Sequence, residues 1–186
     1  IKLAGIELTV IGEENISEGP VLYIGNHRSF FDIVITYARC KNLTGYIAKK
    51  EMLSIPLLRT WMKRLYCLFL DRENPKEGLK TILQAIDYVK HGISICIFPE
   101  GTRRPQPLPS EFKSGIWRLM REFPEVELIP VYIENLHRAM PKGVYIPVPT
   151  ICSVHFGAPL EHSPEDPKEV FLTRARQAVI DLAQQQ

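Results

Sequence analysis

The chain has 186 residues, 45% of them apolar and 24% charged, a globular mixture that excludes wholesale disorder. Its net charge of +2 lacks the dense basic face of a nucleic-acid binder, so no nucleic-acid partner is expected. The four cysteines, Cys40, Cys67, Cys96 and Cys152, stand far apart with no C-x-x-C pair, which argues against zinc and redox centres and for buried free thiols in a reducing compartment.

Strand-like and helix-like patterns alternate along the chain. Residues 6–12 (IELTVIG) alternate with period two, as a half-buried strand does, and 21–25 (VLYIG) form a short apolar run of strand type. FDIVITYAR (31–39) reads as a helix and TGYIAKK (44–50) as a brief strand. IPLLRTWMKRL (55–65) predicts an amphipathic helix, with Pro56 suited to its first turn. YCLFLDR (66–72) predicts a buried strand. Residues 74–92 predict a helix with Leu79, Ile82, Leu83 and Ile86 on one face and Gly92 as its stop. A strand follows at 93–98, then the proline-rich loop PEGTRRPQPLPSE, a helix at 112–123, strands at 126–133 and 150–157, and a last helix at 167–183. About seven strands alternate with about five helices, which predicts one α/β domain over residues 1–186 with a mostly parallel or mixed central sheet flanked by helices.

The stretch IGNHRSFFDI (24–33) has two readings. Ser29-x-x-Asp32 matches a capping box, which makes His27 an incidental loop residue. The alternative is a His27–Asp32 pair. Residues five apart on a continuous helix point about 140° away from each other, so the two meet only if His27 lies in the turn before the helix and Asp32 in its first turn. The carboxylate would then hold one ring nitrogen and leave the other free to take a proton, the arrangement of a general base. No G-x-S-x-G elbow supplies a nucleophile, so the hydroxyl to be deprotonated belongs to a substrate.

FPEGTRR (98–104) follows a predicted strand, where ligands bind in α/β sheets. Gly101 permits close backbone approach, and Arg103 offers a planar fork for phosphate. Asp71-Arg72 ends another strand, and Lys113 stands beside a helix start. Cations at several strand ends predict an anionic substrate.

N-H-R-S-F-F-D, L-F-L-D-R, F-P-E-G-T-R and L-I-P-V-Y-I occur in that order. Over residues 6–160 the chain resembles the glycerolipid acyltransferases of the 1-acyl-sn-glycerol-3-phosphate type. The resemblance implies that His27 is the base on the acceptor hydroxyl, oriented by Asp32. It implies that Arg72 serves acceptor binding, that Glu100, Gly101, Thr102, Arg103 and Lys113 form the substrate-binding set around the glycerol phosphate, and that Pro130 belongs to the donor side or to packing. It further implies acyl-CoA or acyl-carrier protein as donor, no metal, and no cofactor beyond that co-substrate. The expected reaction is acyl transfer to a lysophospholipid, with 1-acyl-sn-glycerol-3-phosphate giving phosphatidic acid as the first choice and another head group as the alternative. A lipid or thioester hydrolase and a non-enzymatic lipid-binding module are the rival readings. Arg104-Pro105 stands where the family commonly has a small polar residue, which bears on head-group preference.

No apolar run approaches the roughly 18 residues of a bilayer span, and no signal peptide is visible. The chain starts at Ile1 rather than Met, which leaves room for an anchor upstream. Residues 49–72 carry Lys49, Lys50, Arg59, Lys63, Arg64 and Arg72 against Glu51 and Asp71, interleaved with Trp61, Tyr66 and leucines. That mixture predicts peripheral binding to a membrane surface at its cytoplasmic face.

Overall fold

Apolar runs without alternation form the middle of the sheet. Strand β2 (Val21–Gly25) is buried at every position, as is β5 (Ser94–Ile97). A strand can be apolar throughout only when both its faces are covered, as in a parallel sheet between helices. β2 lies at the centre, with β5 on one side and β6 (Glu127–Glu134) on the other, both parallel to it. β3 (Thr44–Lys49) and β4 (Leu68–Leu70) extend the parallel set beyond β5. Beyond β6 the direction reverses: β7 (Thr150–Phe156) is antiparallel to β6, and β1 (Ile6–Ile11) is parallel to β7. The order β1-β7-β6-β2-β5-β3-β4 makes one seven-stranded mixed sheet, as the sequence predicts. This computed structural model describes residues 5–29, 31–71, 74–103, 106, 108–140 and 146–184.

The helices are α1 (Phe31–Arg39), α2 (Pro56–Arg64), α3 (Pro75–Lys90), α4 (Gly115–Glu122), α5 (Leu136–Ala139) and α6 (Lys168–Gln184). α3, α4 and α6 cover one face of the sheet, where Ile82, Ile86, Leu119 and Val179 pack with Leu22, Ile24 and Leu128. On the other face Ile35 of α1, Met62 of α2 and Leu136 of α5 pack with Tyr23, Ile129 and Val131. α3 shows why its ends fall where they do. The Asn74 side chain accepts from the backbone N–H groups of Lys76 and Glu77, Pro75 opens the first turn, and Gly92 stops the chain at φ 83°.

Two elements start two or more residues later than in the sequence reading, for a tertiary reason, and one short α-helix is new. β4 is shorter than 66–72, because Tyr66 turns at φ 56° before the strand begins. α4 begins at Gly115 instead of residue 112, because the Lys113 N–H donates to the Pro99 carbonyl (3.0 Å) and holds this stretch along the end of β5. α5 is one turn long, below what a periodicity argument can detect.

Pro130 lies in the sheet interior, a position normally closed to proline. Its carbonyl accepts the Gly157 N–H (2.8 Å), on the β7 side and just past the Val131–Phe156 pair that begins that ladder. Backbone N and O of one strand residue point to the same side, so the missing N–H also falls on that side and leaves the pairing with β2 intact.

Because β2 to β6 run the same way, the loops after β2, β3, β4, β5 and β6 all emerge at one edge. That edge carries the H-R-S stretch, the Phe98–Arg103 turn and α5.

Candidate active site

The loop leaving β2 is stapled to the sheet. Asn26 is 1% exposed. Its side-chain amide donates to the Ile133 carbonyl (2.9 Å), and its Oδ1 accepts the Ile133 N–H (2.8 Å). The side chain thus continues the β2–β6 ladder after the last backbone pair, Gly25–Val131. This holds the next residue, His27, at the sheet edge.

His27 and Asp32 meet. The His27 Nδ1 lies 2.9 Å from Asp32 Oδ2, with His27 16% exposed and Asp32 fully buried. The same Oδ2 accepts the backbone N–H of Ser29 (2.8 Å) and of Arg28 (2.7 Å), while Ser29 Oγ accepts the Phe31 N–H (3.3 Å). The capping box and the His–Asp pair are therefore one arrangement. Asp32 Oδ2 serves as the acceptor for these backbone N–H groups, and facing an acceptor orders Nδ1 as the nitrogen that carries the hydrogen. The opposite nitrogen, Nε2, bonds to no described residue.

The imidazole lies flat on Phe98, ring centroids 4.4 Å apart and planes 13° apart. Phe98 in turn stacks on Tyr46 at 6.5 Å and 24°. The Tyr46 hydroxyl is 2.8 Å from Thr36 Oγ1, and Thr36 donates to the Asp32 carbonyl (2.7 Å). Burial holds the Tyr46 phenol well above its ordinary pKa, so it stays a neutral member of this chain. The ring of contacts from His27 through Phe98, Tyr46 and Thr36 to Asp32 closes on itself.

Glu100 is 3% exposed and braces two loops. Its Oε1 accepts the His27 N–H (3.0 Å), and its Oε2 accepts the Ser110 N–H (2.9 Å) and hydroxyl (3.0 Å). Both oxygens are thus engaged by the protein. Gly101 sits at φ 74° and its N–H closes a turn onto the Phe98 carbonyl (2.9 Å), a conformation that suits only glycine well. Thr102 and Arg103 are half-buried in this turn, and Lys113 is exposed. Arg72 and Arg104-Pro105 lie outside the described residues. Gly101 and Lys113 both line a partly enclosed pocket of about 80 Å³ that runs between β3–β5 and helices α3 and α4. Its other walls are apolar, with Phe98 and Ile116 among them.

Two features of this edge carried no sequence signal. One is the stacking of Phe98 on His27, which depends on how β2 and β5 lie side by side. The other is Arg28, whose Nη2 is 3.1 Å from His137 Nε2. A guanidinium only donates, so this nitrogen must carry the lone pair. Burial first, then the charges of Arg28 and Arg138, hold His137 below its ordinary pKa and keep it neutral. Asn26 was visible as the first residue of N-H-R-S-F-F-D, but its role needs the β6 partner. Among the described residues no group of three His, Cys, Asp or Glu side chains is placed to hold a metal ion.

Known proteins supply the remaining finding. The acyltransferase family model matches residues 7–134. A probable 1-acyl-sn-glycerol-3-phosphate acyltransferase of Mycoplasma pneumoniae is 31% identical over 117 residues, 61% of this chain and 44% of its own length. The 1-acyl-sn-glycerol-3-phosphate acyltransferase of Saccharomyces cerevisiae is 29% identical over 72% of this chain and 45% of its own. The chain therefore spans about half the length of the curated relatives it matches. The crystal structure of the 1-acyl-sn-glycerophosphate acyltransferase of Thermotoga maritima shares the fold, with TM-score 0.79 and 24% identity over 96% of this chain and 71% of that one. With more than half of its length matched, and with the H-x4-D and E-G-T-R blocks at one sheet edge, this chain belongs to the acyltransferase family.

Proposed function

We propose that the chain transfers a fatty acyl group from a thioester donor, acyl-CoA or acyl-carrier protein, to the free hydroxyl of a lysophospholipid. The acceptor is 1-acyl-sn-glycerol-3-phosphate and the product phosphatidic acid, the reaction named in its relatives. The observation that supports this most is the His27–Asp32 contact of 2.9 Å with Nε2 left open. Nε2 takes the proton of the acceptor hydroxyl as that oxygen attacks the thioester carbonyl. Collapse of the tetrahedral intermediate breaks the C–S bond, and the leaving sulfur takes the proton back from Nε2, which releases a thiol and returns His27 to its neutral form. Base catalysis of this kind is worth roughly 10²–10⁴ in rate. The step uses no metal or redox cofactor.

Gly101, Thr102, Arg103 and Lys113 receive the acceptor phosphate, Arg103 through its planar fork. Arg72 serves the same anion. Glu100 acts as a positioning residue through the His27 N–H. An acyl chain occupies the apolar pocket behind Phe98. Because the substrate lives in a bilayer, the protein works as a peripheral protein at the cytoplasmic face. No helix among the described residues is long and apolar enough to cross a membrane.

The test is thiol release from palmitoyl-CoA, with and without lysophosphatidate, for the wild type and His27→Ala. Acceptor-dependent release that falls at least about 10²-fold in the variant is expected. Release independent of the acceptor, or a variant of near-normal rate, overturns the reading. Arg103→Ala is expected to raise the acceptor KM with little change in kcat, because the phosphate it binds does not react.

A further inference from the structure

His27 stands between two clusters of cations, and the acceptor phosphate accounts for one of them. On the β5 side lie the Gly101–Arg103 turn and Lys113. On the β6 side lie Arg28, which follows His27 in the loop after β2, and Arg138 of α5, which follows β6. β2 is parallel to both neighbours, so the two clusters share one sheet edge with the base between them.

Arg28 Nη2 lies 3.1 Å from His137 Nε2, and that imidazole is neutral, so it fixes the guanidinium without cancelling its charge. Arg28 is half-buried and Arg138 exposed. Burial lowers the pKa of Arg28, and the charge of Arg138 lowers it further, so the two guanidiniums feel each other. The carboxylates that face Arg28 are Asp32 and Glu100. Both are buried and both hold His27, so they lie inward of the arginines. Glu134, at the end of β6, accepts the Ser153 hydroxyl (3.2 Å). α5 has no acidic residue, and the Arg138 side chain makes no hydrogen bond or ion pair among the described residues. An anion that arrives from solvent therefore meets two guanidiniums first, one of them already oriented.

A thioester donor of either kind carries its acyl group on a phosphopantetheine arm, so the reaction brings a second phosphate to this edge. We propose that Arg28 and Arg138 bind the phosphate of that arm on the β6 side of His27, while the acceptor phosphate is held on the β5 side. The shared chemistry is the phosphate next to the pantetheine, a diphosphate in coenzyme A and a phosphodiester in a carrier protein. His137 is a positioning residue that sets the Arg28 fork. This inference rests on the acyl-transfer reading and names the substrate group that the β6 side takes.

The experiment compares three donors to lysophosphatidate: palmitoyl-CoA, palmitoyl-carrier protein, and palmitoyl-pantetheine, which has the same thioester and no phosphate. Thiol release is read for each. The wild type is expected to show a kcat/KM at least roughly tenfold higher for a phosphate-bearing donor than for palmitoyl-pantetheine. Arg28→Gln is expected to raise the KM of that donor roughly tenfold, and Arg138→Gln, whose contact is screened by solvent, roughly threefold. The acceptor KM stays at its wild-type value in both, the converse of Arg103→Ala. The variants thus bring the phosphate-bearing donor toward the palmitoyl-pantetheine value, and the donor that suffers the loss identifies the source of the phosphate. Arg138 is exposed, so Arg138→Gln keeps the fold and carries the test even if Arg28→Gln lowers the thermal melt. Equilibrium dialysis of free CoA against pantetheine repeats the comparison without turnover. Three results overturn the proposal: a wild type that prefers no phosphate-bearing donor and binds CoA no better than pantetheine, variants with the wild-type donor ratio, or an acceptor KM that rises as much as the donor KM. If CoA binds, Arg138→Gln weakens it, and no donor releases thiol, the proposed function fails and the phosphate site stands.

Discussion

His27 is held on three sides: Asp32 at Nδ1, Glu100 at its backbone N–H, and Phe98 against its ring. The carboxylate sets the tautomer, but a single hydrogen bond leaves the ring plane free to rock. The Phe98 face removes that freedom, and a stacked pair of this geometry is worth about 1 kcal/mol. Phe98→Leu keeps apolar bulk and loses the flat face. It is expected to lower kcat about fivefold, with Phe98→Tyr restoring most of it. Equal rates for all three proteins in a steady-state assay would remove Phe98 from the positioning set.

At the scale of elements, the loop after β2 is a clasp between β2, β6 and α5. Asn26 closes onto Ile133, Ser29 donates to the Met140 carbonyl (3.2 Å), and Arg28 reaches His137. Asn26→Ala leaves the Ile133 N–H and carbonyl buried without partners, at a cost of about 2–4 kcal/mol. A lower urea midpoint at unchanged slope is the expected readout, and a midpoint within error of the wild type would show that water takes over both bonds. Glu100→Gln puts an amide N–H₂ against donors at one of its two ends, so it is expected to loosen the His27 loop and lower kcat more than KM in the same steady-state assay.

For the molecule as a whole, the half-buried His137 and the buried His155 give stability a pH dependence. Burial, with the charges of Arg28 and Arg138, lowers the pKa of His137 from 6.5, and burial lowers that of His155 from the same value. The unfolded chain therefore takes up protons first as pH falls. Stability is level above about pH 7 and is lost as the pH drops through 6.5 toward the depressed folded values. Thermal melts between about pH 7 and pH 5 are expected to show this slope, and His137→Gln to flatten it in part, because His155 remains. A slope identical in wild type and variant would place the proton uptake elsewhere.

The periodic segments were legible because their signals are local. Apolar runs marked β2 and β5, Pro75 and Gly92 bracketed α3, and the Ser29–Asp32 spacing marked the first turn of α1. The pairing of His27 with Asp32 was legible too, since both lie within one turn and its loop. The partners of that pair were not. Glu100 is 73 residues from His27 along the chain, and Ile133 is 107 from Asn26. Such contacts exist only because parallel pairing sets the ends of β2, β5 and β6 side by side, and no local pattern encodes which strands become neighbours. The reversal of β7 and β1, and which leucines of α2 face water, were decided in the same way. Sequence alone determined the elements and the chemical pair, because both depend on residues within a few positions of each other. Tertiary structure decided the strand order, the aromatic platform and the braces, because these depend on how distant segments share one buried sheet.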